Sequence, residues 1–236
     1  MIGKDDPLPD RPFRPYRTFR RNNAQGATMT QDQLVEVVKA KAPTVPVTLY
    51  EAGDFADAMQ YAVDVTEKKR HCEMLLPKEG EQYGPPSENG FPTLLDRFIA
   101  APGLSDDEFA VLEEKAAGTD ITLLRSALRD HMGGFDTSIT WADGLVADTV
   151  TCVVNSNSEE VRLGTMVAEI SIMLVRKSTL LNKLEDANDL LLDLASRGGA
   201  SYTAFITGPS RTADIERVGA LGVHGPLELH IVLLED

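Results

Sequence analysis

In 236 residues the chain has two cysteines, one tryptophan and four histidines. Each shortage excludes a chemistry. An iron–sulfur cluster takes about four thiolates, so Cys72 and Cys152 cannot hold one by themselves. The two are far apart and form no CxxC, so they read as buried small apolar residues rather than a disulfide. His71, His131, His224 and His230 show no HxH or HxxxH spacing, and no metal site is expected. Positive charge is also short: 23 Lys and Arg stand against 37 Asp and Glu, a formal net charge of −14. A chain this acidic repels phosphates, which argues against nucleic acid as a partner. No apolar run reaches the roughly 18 residues of a membrane span. Arg20-Arg21 is not followed by the apolar stretch of a secretory signal, and a cytoplasmic protein is expected. The GxGxxG, Walker, GxSxG and HExxH patterns are missing, which removes the Rossmann, NTPase, hydrolase and metalloprotease readings.

What is present suits a folded core: 42% hydrophobic and 25% charged residues. Charge is unevenly placed. Residues 1–28 carry six basic groups (Lys4, Arg11, Arg14, Arg17, Arg20, Arg21) and four prolines between Pro7 and Pro15, interleaved with Phe13, Tyr16 and Phe19. Prolines this dense forbid a helix. The segment is either a disordered leader or an arm that docks on an acidic or aromatic partner surface. The division expected is a tail over 1–28 and one α/β domain over 29–236.

Strand and helix signals alternate along that domain. Thr30 with Gln33 forms a capping box before a helix to Lys41, and Val45–Tyr50 reads as a strand. Asp54 caps a helix to about Lys69, and Cys72–Leu76 reads as a short strand. A loop rich in Pro and Gly then runs from Pro77 to Pro92. Arg97–Ala101 is a strand, and Ser105 with Glu108 opens a helix ending at Gly118. Ile121–Leu124, Phe135–Trp141, Thr149–Asn155 and Glu169–Val175 are further strands. Ser178–Arg197 carries an apolar stripe (Leu180, Leu181, Leu184, Ala187, Leu191, Leu194) and reads as one long helix. Ser201–Ile206 and Leu227–Leu234 complete the sheet. Repeated β-α-β order predicts a mixed, largely parallel sheet covered by helices. The closely spaced strands between Phe135 and Val175 predict an antiparallel portion.

The densest chemistry follows Ala204-Phe205-Ile206. Ser210, Arg211 and Thr212 lie just past a glycine–proline stop and read as the start of a helix. Free amides there, with the guanidinium, suit a carboxylate or phosphate. The competing reading is an N-cap with a structural ion pair from Arg211 to Asp214 or Glu216. Asp214 and Glu216 lie two apart and face different directions on a helix, so they are no shared-proton pair. His224, between Val223 and Gly225, is either a general base or a residue that fixes its turn.

The same residues carry a resemblance. Gly208-Pro-Ser-Arg-Thr-Ala-Asp-Ile-Glu216, then Gly222-Val-His-Gly-Pro226 and a closing Leu-His-Ile-Val-Leu-Leu strand, resemble the C-terminus of the LUD-domain family, also called lactate utilisation protein C or LutC/YkgG. Ala100-Ala-Pro-Gly-Leu104, Ser138-Ile-Thr-Trp-Ala-Asp143 and Ala147-Asp-Thr149 are similar to the same family. Members read close to T-G-A-D-x-A-I-A-E-T-G-T, then S-G-P-G, then L-L-P. Here Asp148 stands for the Glu and Val150 for the Gly. Asn155–Glu160 replaces S-G-P-G, and Met166-Val-Ala168 replaces L-L-P, which marks a divergent member. Glu159 and Glu160 are expected to repel an anion where a glycine-rich turn would cradle one.

The resemblance implies a fold like that of ribose-phosphate isomerase, glucosamine-phosphate deaminase and the CoA transferases (NagB/RpiA/CoA-transferase-like). By analogy with those folds, Asp148 is the candidate acid/base or nucleophile. Thr140, at the turn flanked by Asp143 and Asp148, joins Ser210, Arg211, Thr212, Asp214 and His224 as a ligand-binding candidate. It also implies an accessory subunit, without redox chemistry or a cofactor of its own, beside two iron–sulfur proteins that oxidise L-lactate to pyruvate. The alternative is a stand-alone isomerase or CoA-transferase-like enzyme acting on a phosphorylated or CoA-linked substrate.

Overall fold

The computed structural model describes residues 29–73, 82–131, 134–197, 202–212, 220–221 and 225–236. The tail over 1–28, most of the strand expected at Cys72–Leu76, and Asp214, Glu216 and His224 lie outside them.

Local signals place the first half well. Helix α1 (Gln31–Lys41) starts at the Thr30/Gln33 capping box, and α3 (Asp106–Ala116) at the Ser105/Glu108 box. Each box satisfies two otherwise orphaned backbone amides. Helix α2 (Phe55–Lys68) is capped by the Asp54 side chain, which accepts from the Asp57 amide. Between and after them run β1 (Val47–Glu51), β2 (Arg97–Ala100) and β3 (Ile121–Leu124). Then come β4 (Phe135–Trp141), β5 (Gly144–Val146), β6 (Thr151–Asn155), α4 (Glu159–Val167) and β7 (Ala168–Arg176). The chain closes with β8 (Leu180–Leu181), α5 (Asn188–Ser196), β9 (Thr203–Thr207), β10 (Arg211–Thr212), β11 (Ala220–Leu221) and β12 (Glu228–Leu234).

Six strands form one sheet in the order β1-β12-β7-β4-β2-β3, and every neighbouring pair is parallel. Antiparallel pairing does occur, but in a separate four-stranded sheet, β8-β5-β6-β9, where β6 runs antiparallel to β5 and β9 while β5 and β8 are parallel. β4 and β7 are therefore parallel neighbours, not members of an antiparallel meander. The reason is an unexpected helix: α4 fills the stretch after Asn155 and returns the chain to the first sheet in the same direction, as parallel pairing requires.

One face of the parallel sheet packs on α2 and α3 through Met59, Leu112, Ile139, Ile172 and Val232. The other packs on α1 and the smaller sheet through Leu34, Val38, Leu145, Cys152, Met173 and Ile231. Helix α5 covers the far side of the smaller sheet with Leu190 and Leu194 against Val146 and Val153.

The long helix expected over Ser178–Arg197 is a correction. Leu180 pairs in β8 with Leu145, a 3-10 turn follows at Leu184–Ala187, and only Asn188–Ser196 is α-helical. The leucines of that stripe serve different partners: Leu180 joins the inter-sheet core, while Leu184 is exposed. A repeat of apolar residues cannot by itself distinguish one continuous face from several short contacts.

Candidate functional site

The helix expected to start at Ser210 is a short strand instead. Arg211 and Thr212 pair antiparallel with Leu221 and Ala220. The Ser210 amide donates to the Pro226 carbonyl at 2.8 Å, so among the described residues it is not a free helical amide of the kind invoked for anion binding. Arg211 is exposed. Strand β9, before it, pairs antiparallel with β6 in the smaller sheet, so it does not end at the carboxyl edge where parallel sheets place ligands.

Gly225 and Pro226, the described end of the second glycine turn, do meet the first turn at Ser210. Gly208 has φ +69, and a side chain there would come within 2.5 Å of the Val45 carbonyl oxygen. Only glycine fits that combination of left-handed backbone and close approach. A Cβ on Gly225 would lie 3.1 Å from the Ser210 Cβ. Gly208 and Pro226 thereby form one rim of a cleft of about 150 Å³, which reaches inward to Ser171 of β7 and Leu229 of β12. Helix α4 supplies the opposite wall with Arg162, Thr165 and Met166, and Tyr202, Ala204 and Ile206 close the side.

The polar groups of this cleft are not those anticipated. Ser156 and Ser171 are each 1% exposed, and among the described residues neither hydroxyl has a hydrogen-bond partner. Arg162 donates from Nη1 to the Ser156 and Asn157 carbonyls at 2.5 and 3.0 Å. Among the described residues no carboxylate lines the cleft. Two more buried hydroxyls without partners, Ser138 and Thr140, lie on β4 on the side facing α4. A Cβ on Gly164 of α4 would be 3.8 Å from the Thr140 Oγ1. Thr140 thus sits beneath the helix rather than in the cleft. Native interiors leave few such groups unpaired, and of these four only Ser156 and Ser171 line the cleft.

The loop before α4 is held rigidly. Asp143 accepts from the Asn155 amide at 2.6 Å, Asn155 from the Asn157 amide at 3.0 Å, and Asn157 from the Tyr202 amide at 2.6 Å. The expected repulsion from Glu159 and Glu160 does not arise. Glu160 accepts from the Ala127 and Leu128 amides at 3.2 and 3.0 Å, and Glu159 pairs with Arg129. Both turn away from the cleft. Arg162 and Ser156 escaped sequence reasoning because no helix was expected between the strands ending at Asn155 and starting at Glu169, and Ser171 because it lies inside the strand expected over Glu169–Val175 with no motif around it. The one available signal was the apolar set Val161, Leu163, Met166 and Val167, interrupted by Gly164.

Asp148 lies elsewhere, in the turn between β5 and β6, half-exposed and 3.4 Å from the Lys41 ammonium. Two residues on, Val150 has φ +51 although it is fully buried. An L-residue in this region carries about 1–2 kcal/mol of strain. The bend for which the family motif carries glycine persists here with a valine packed into the inter-sheet core.

Two further polar clusters were not anticipated. Asp136 is fully buried and accepts from the Lys69 ammonium at 2.9 Å, the Phe98 amide at 2.8 Å and the Cys72 thiol at 3.3 Å. Lys69 also reaches Glu169 at 2.7 Å. Burial opposes the Lys69 charge, but Cys72, Asp136 and Glu169 together outweigh it, and its pKa is raised. Burial and the nearby Asp136 push the Cys72 thiol up. Cys72 is buried as expected, yet it is a hydrogen-bond donor rather than apolar filling. His230, 5% exposed, sits between the Tyr61 hydroxyl (2.9 Å from Nδ1) and Glu228 (3.0 Å from Nε2). Among the described residues no group of three His, Cys, Asp or Glu side chains could hold a metal ion.

Known proteins give this geometry a context. The LUD domain model matches residues 35–234. Lactate utilization protein C 1 of Bacillus mycoides is 33% identical over 104 residues, which cover 43% of this chain and 44% of that protein. Lactate utilization protein C of Halalkalibacterium halodurans is 34% identical over 103 residues, 43% of this chain and 45% of its own. Its counterpart in Bacillus subtilis is 31% identical over 100 residues, 42% of each. The alignments thus span less than half the length of these curated relatives. A crystal structure of a DUF162 family protein from Deinococcus radiodurans superposes with a TM-score of 0.56 at 12% identity, covering 88% of this chain and 99% of that one. That likeness establishes the fold, and the match over 35–234 establishes the lineage: the chain belongs to the LUD domain family.

Proposed function

We propose that this chain serves lactate utilisation in the cytoplasm as an accessory component that carries no electrons itself and works beside iron–sulfur partner proteins. The observation that carries this reading is the family match over 35–234, together with relatives named for lactate utilisation. The chemistry of the cysteines supports it. Cys152 is fully buried and its thiol is pushed up to about 12 by that burial, so it is not a thiolate at neutral pH. Cys72 is engaged with Asp136. What the chain offers instead is a ligand cleft, and small-anion binding is its own contribution to the system. No helix among the described residues is long and apolar enough to cross a membrane.

The test is genetic. Deleting the gene is expected to abolish growth on L-lactate as sole carbon source and to leave growth on pyruvate intact, with rescue by the full chain. Undiminished growth on lactate overturns the reading.

A further inference from the structure

We infer that the cleft between α4 and the β7–β12 face is a binding site for a short-chain 2-hydroxy- or 2-oxo-monocarboxylate. The inference rests on the lactate-utilisation reading for the choice of probes, and on the following geometry for the site itself. The cleft holds about 150 Å³, a volume that accommodates a ligand of about six non-hydrogen atoms. Charge sets the sign. In a chain of net charge −14, the described lining contains one arginine and no acid. Arg162 is fixed by its Nη1 bonds to two loop carbonyls, and among the described residues its Nε and Nη2 donate to nothing. A guanidinium held in this way suits a carboxylate.

The hydroxyls set the class. Ser156 and Ser171 both line the cleft, both are 1% exposed, and among the described residues neither has a partner. Hydroxyls at such depth are stable when a ligand or an ordered water completes them. Each can donate to a carboxylate or accept from a hydroxyl on the carbon beside it. The remaining wall is mostly apolar, with Met166, Ala204, Ile206 and Leu229 beside Thr165 and Tyr202. An inorganic oxyanion is polar all round and leaves that wall unmatched, whereas a short acid places its methyl or ethyl end against it. A dicarboxylate brings a second charge with no second cation. The motif singled out in the sequence contributes Gly208 and Pro226 as the rim, while Arg211 does not line the cleft.

The test is isothermal titration and thermal melting of the purified full chain with L-lactate, pyruvate, inorganic phosphate and succinate. Lactate or pyruvate is expected to bind saturably and raise the melting temperature by mass action, with phosphate and succinate inert. Ser171→Val, which replaces the hydroxyl without touching the loop, and Arg162→Gln are each expected to weaken binding roughly tenfold or more. Arg211→Ala is expected to bind as the wild type does. Phosphate binding as tightly as lactate overturns the assignment of class. Absence of binding by any acid means that the hydroxyls are completed by water alone, and the site falls. A chain that binds lactate but is dispensable for growth on it keeps the site and loses the proposed function. One that is required for growth but binds no acid does the reverse.

Discussion

Asp136 and Ser138 lie two residues apart on β4, and Glu169 and Ser171 two apart on the adjoining β7, so each pair projects to the same side of its strand. About 7 Å separates one rung from the next, yet the two rungs are built on opposite terms. At the first, a buried carboxylate receives an ammonium, an amide and a thiol, and the ammonium bridges to the second carboxylate. At the second, two buried hydroxyls receive nothing from the described residues. Removing a group that satisfies its neighbours strands them, whereas removing an unsatisfied group strands nothing. The first rung is therefore a place where the fold is held, and the second is where the proposed site and the fold can be told apart.

The comparison is broken or sharpened first at Asp136. Asp136→Ala leaves Lys69 beside Glu169 alone and abandons the Phe98 amide. It is expected to cost about 3–5 kcal/mol, read from urea unfolding. A loss no larger than that of a surface substitution shows that the cluster is not structural.

Alkali is the next lever. Lys69 and Cys72 both have raised pKa values, the first from its partners against burial, the second from burial and Asp136. Cys152, away from the cluster, is raised from 9.0 to about 12 by burial. Above about pH 9 unfolded thiols release protons that the folded chain retains, so stability falls as pH rises from 9 toward 12. The Lys69 contribution has the same sign: it is complete below about pH 10.5 and is lost as pH climbs through the raised value. The slope is up to about 1.4 kcal/mol per pH unit for each group. Urea midpoints between pH 8 and 11 should become less steep in pH for Cys72→Ala and for Cys152→Ala, and stay as steep as wild type for Ser171→Ala. A flat wild-type profile contradicts the burial of all three.

The smallest effect is the most telling. Ser171→Ala and Ser156→Ala are each expected to change ligand-free stability by no more than about 0.5 kcal/mol, or to raise it, because no hydrogen bond is lost. A loss above about 1 kcal/mol in the absence of any acid places these hydroxyls on the structural side, with Asp136.

Much of the frame was written locally. Thr30, Asp54 and Ser105 mark helix starts through bonds to amides three residues away, and the parallel sheet follows from helices spaced between strands. The glycines at 208 and 225 were legible as turns, since a φ of +69 and a 3.1 Å approach leave room for little else. Tertiary structure alone decided the rest, because those choices depend on residues distant in sequence. Ser178–Arg197 has the period of a helix, but Leu180 is drawn into β8 by Leu145, thirty-five positions earlier. Arg211 has the residue type and setting of an anion ligand, but pairing of β10 with β11 uses its strand elsewhere, and α4 presents Arg162 to the cleft instead. Composition and short-range bonds determined which elements form. Which polar groups are left without partners among the described residues was settled when two sheets and one unforeseen helix closed around Ser171.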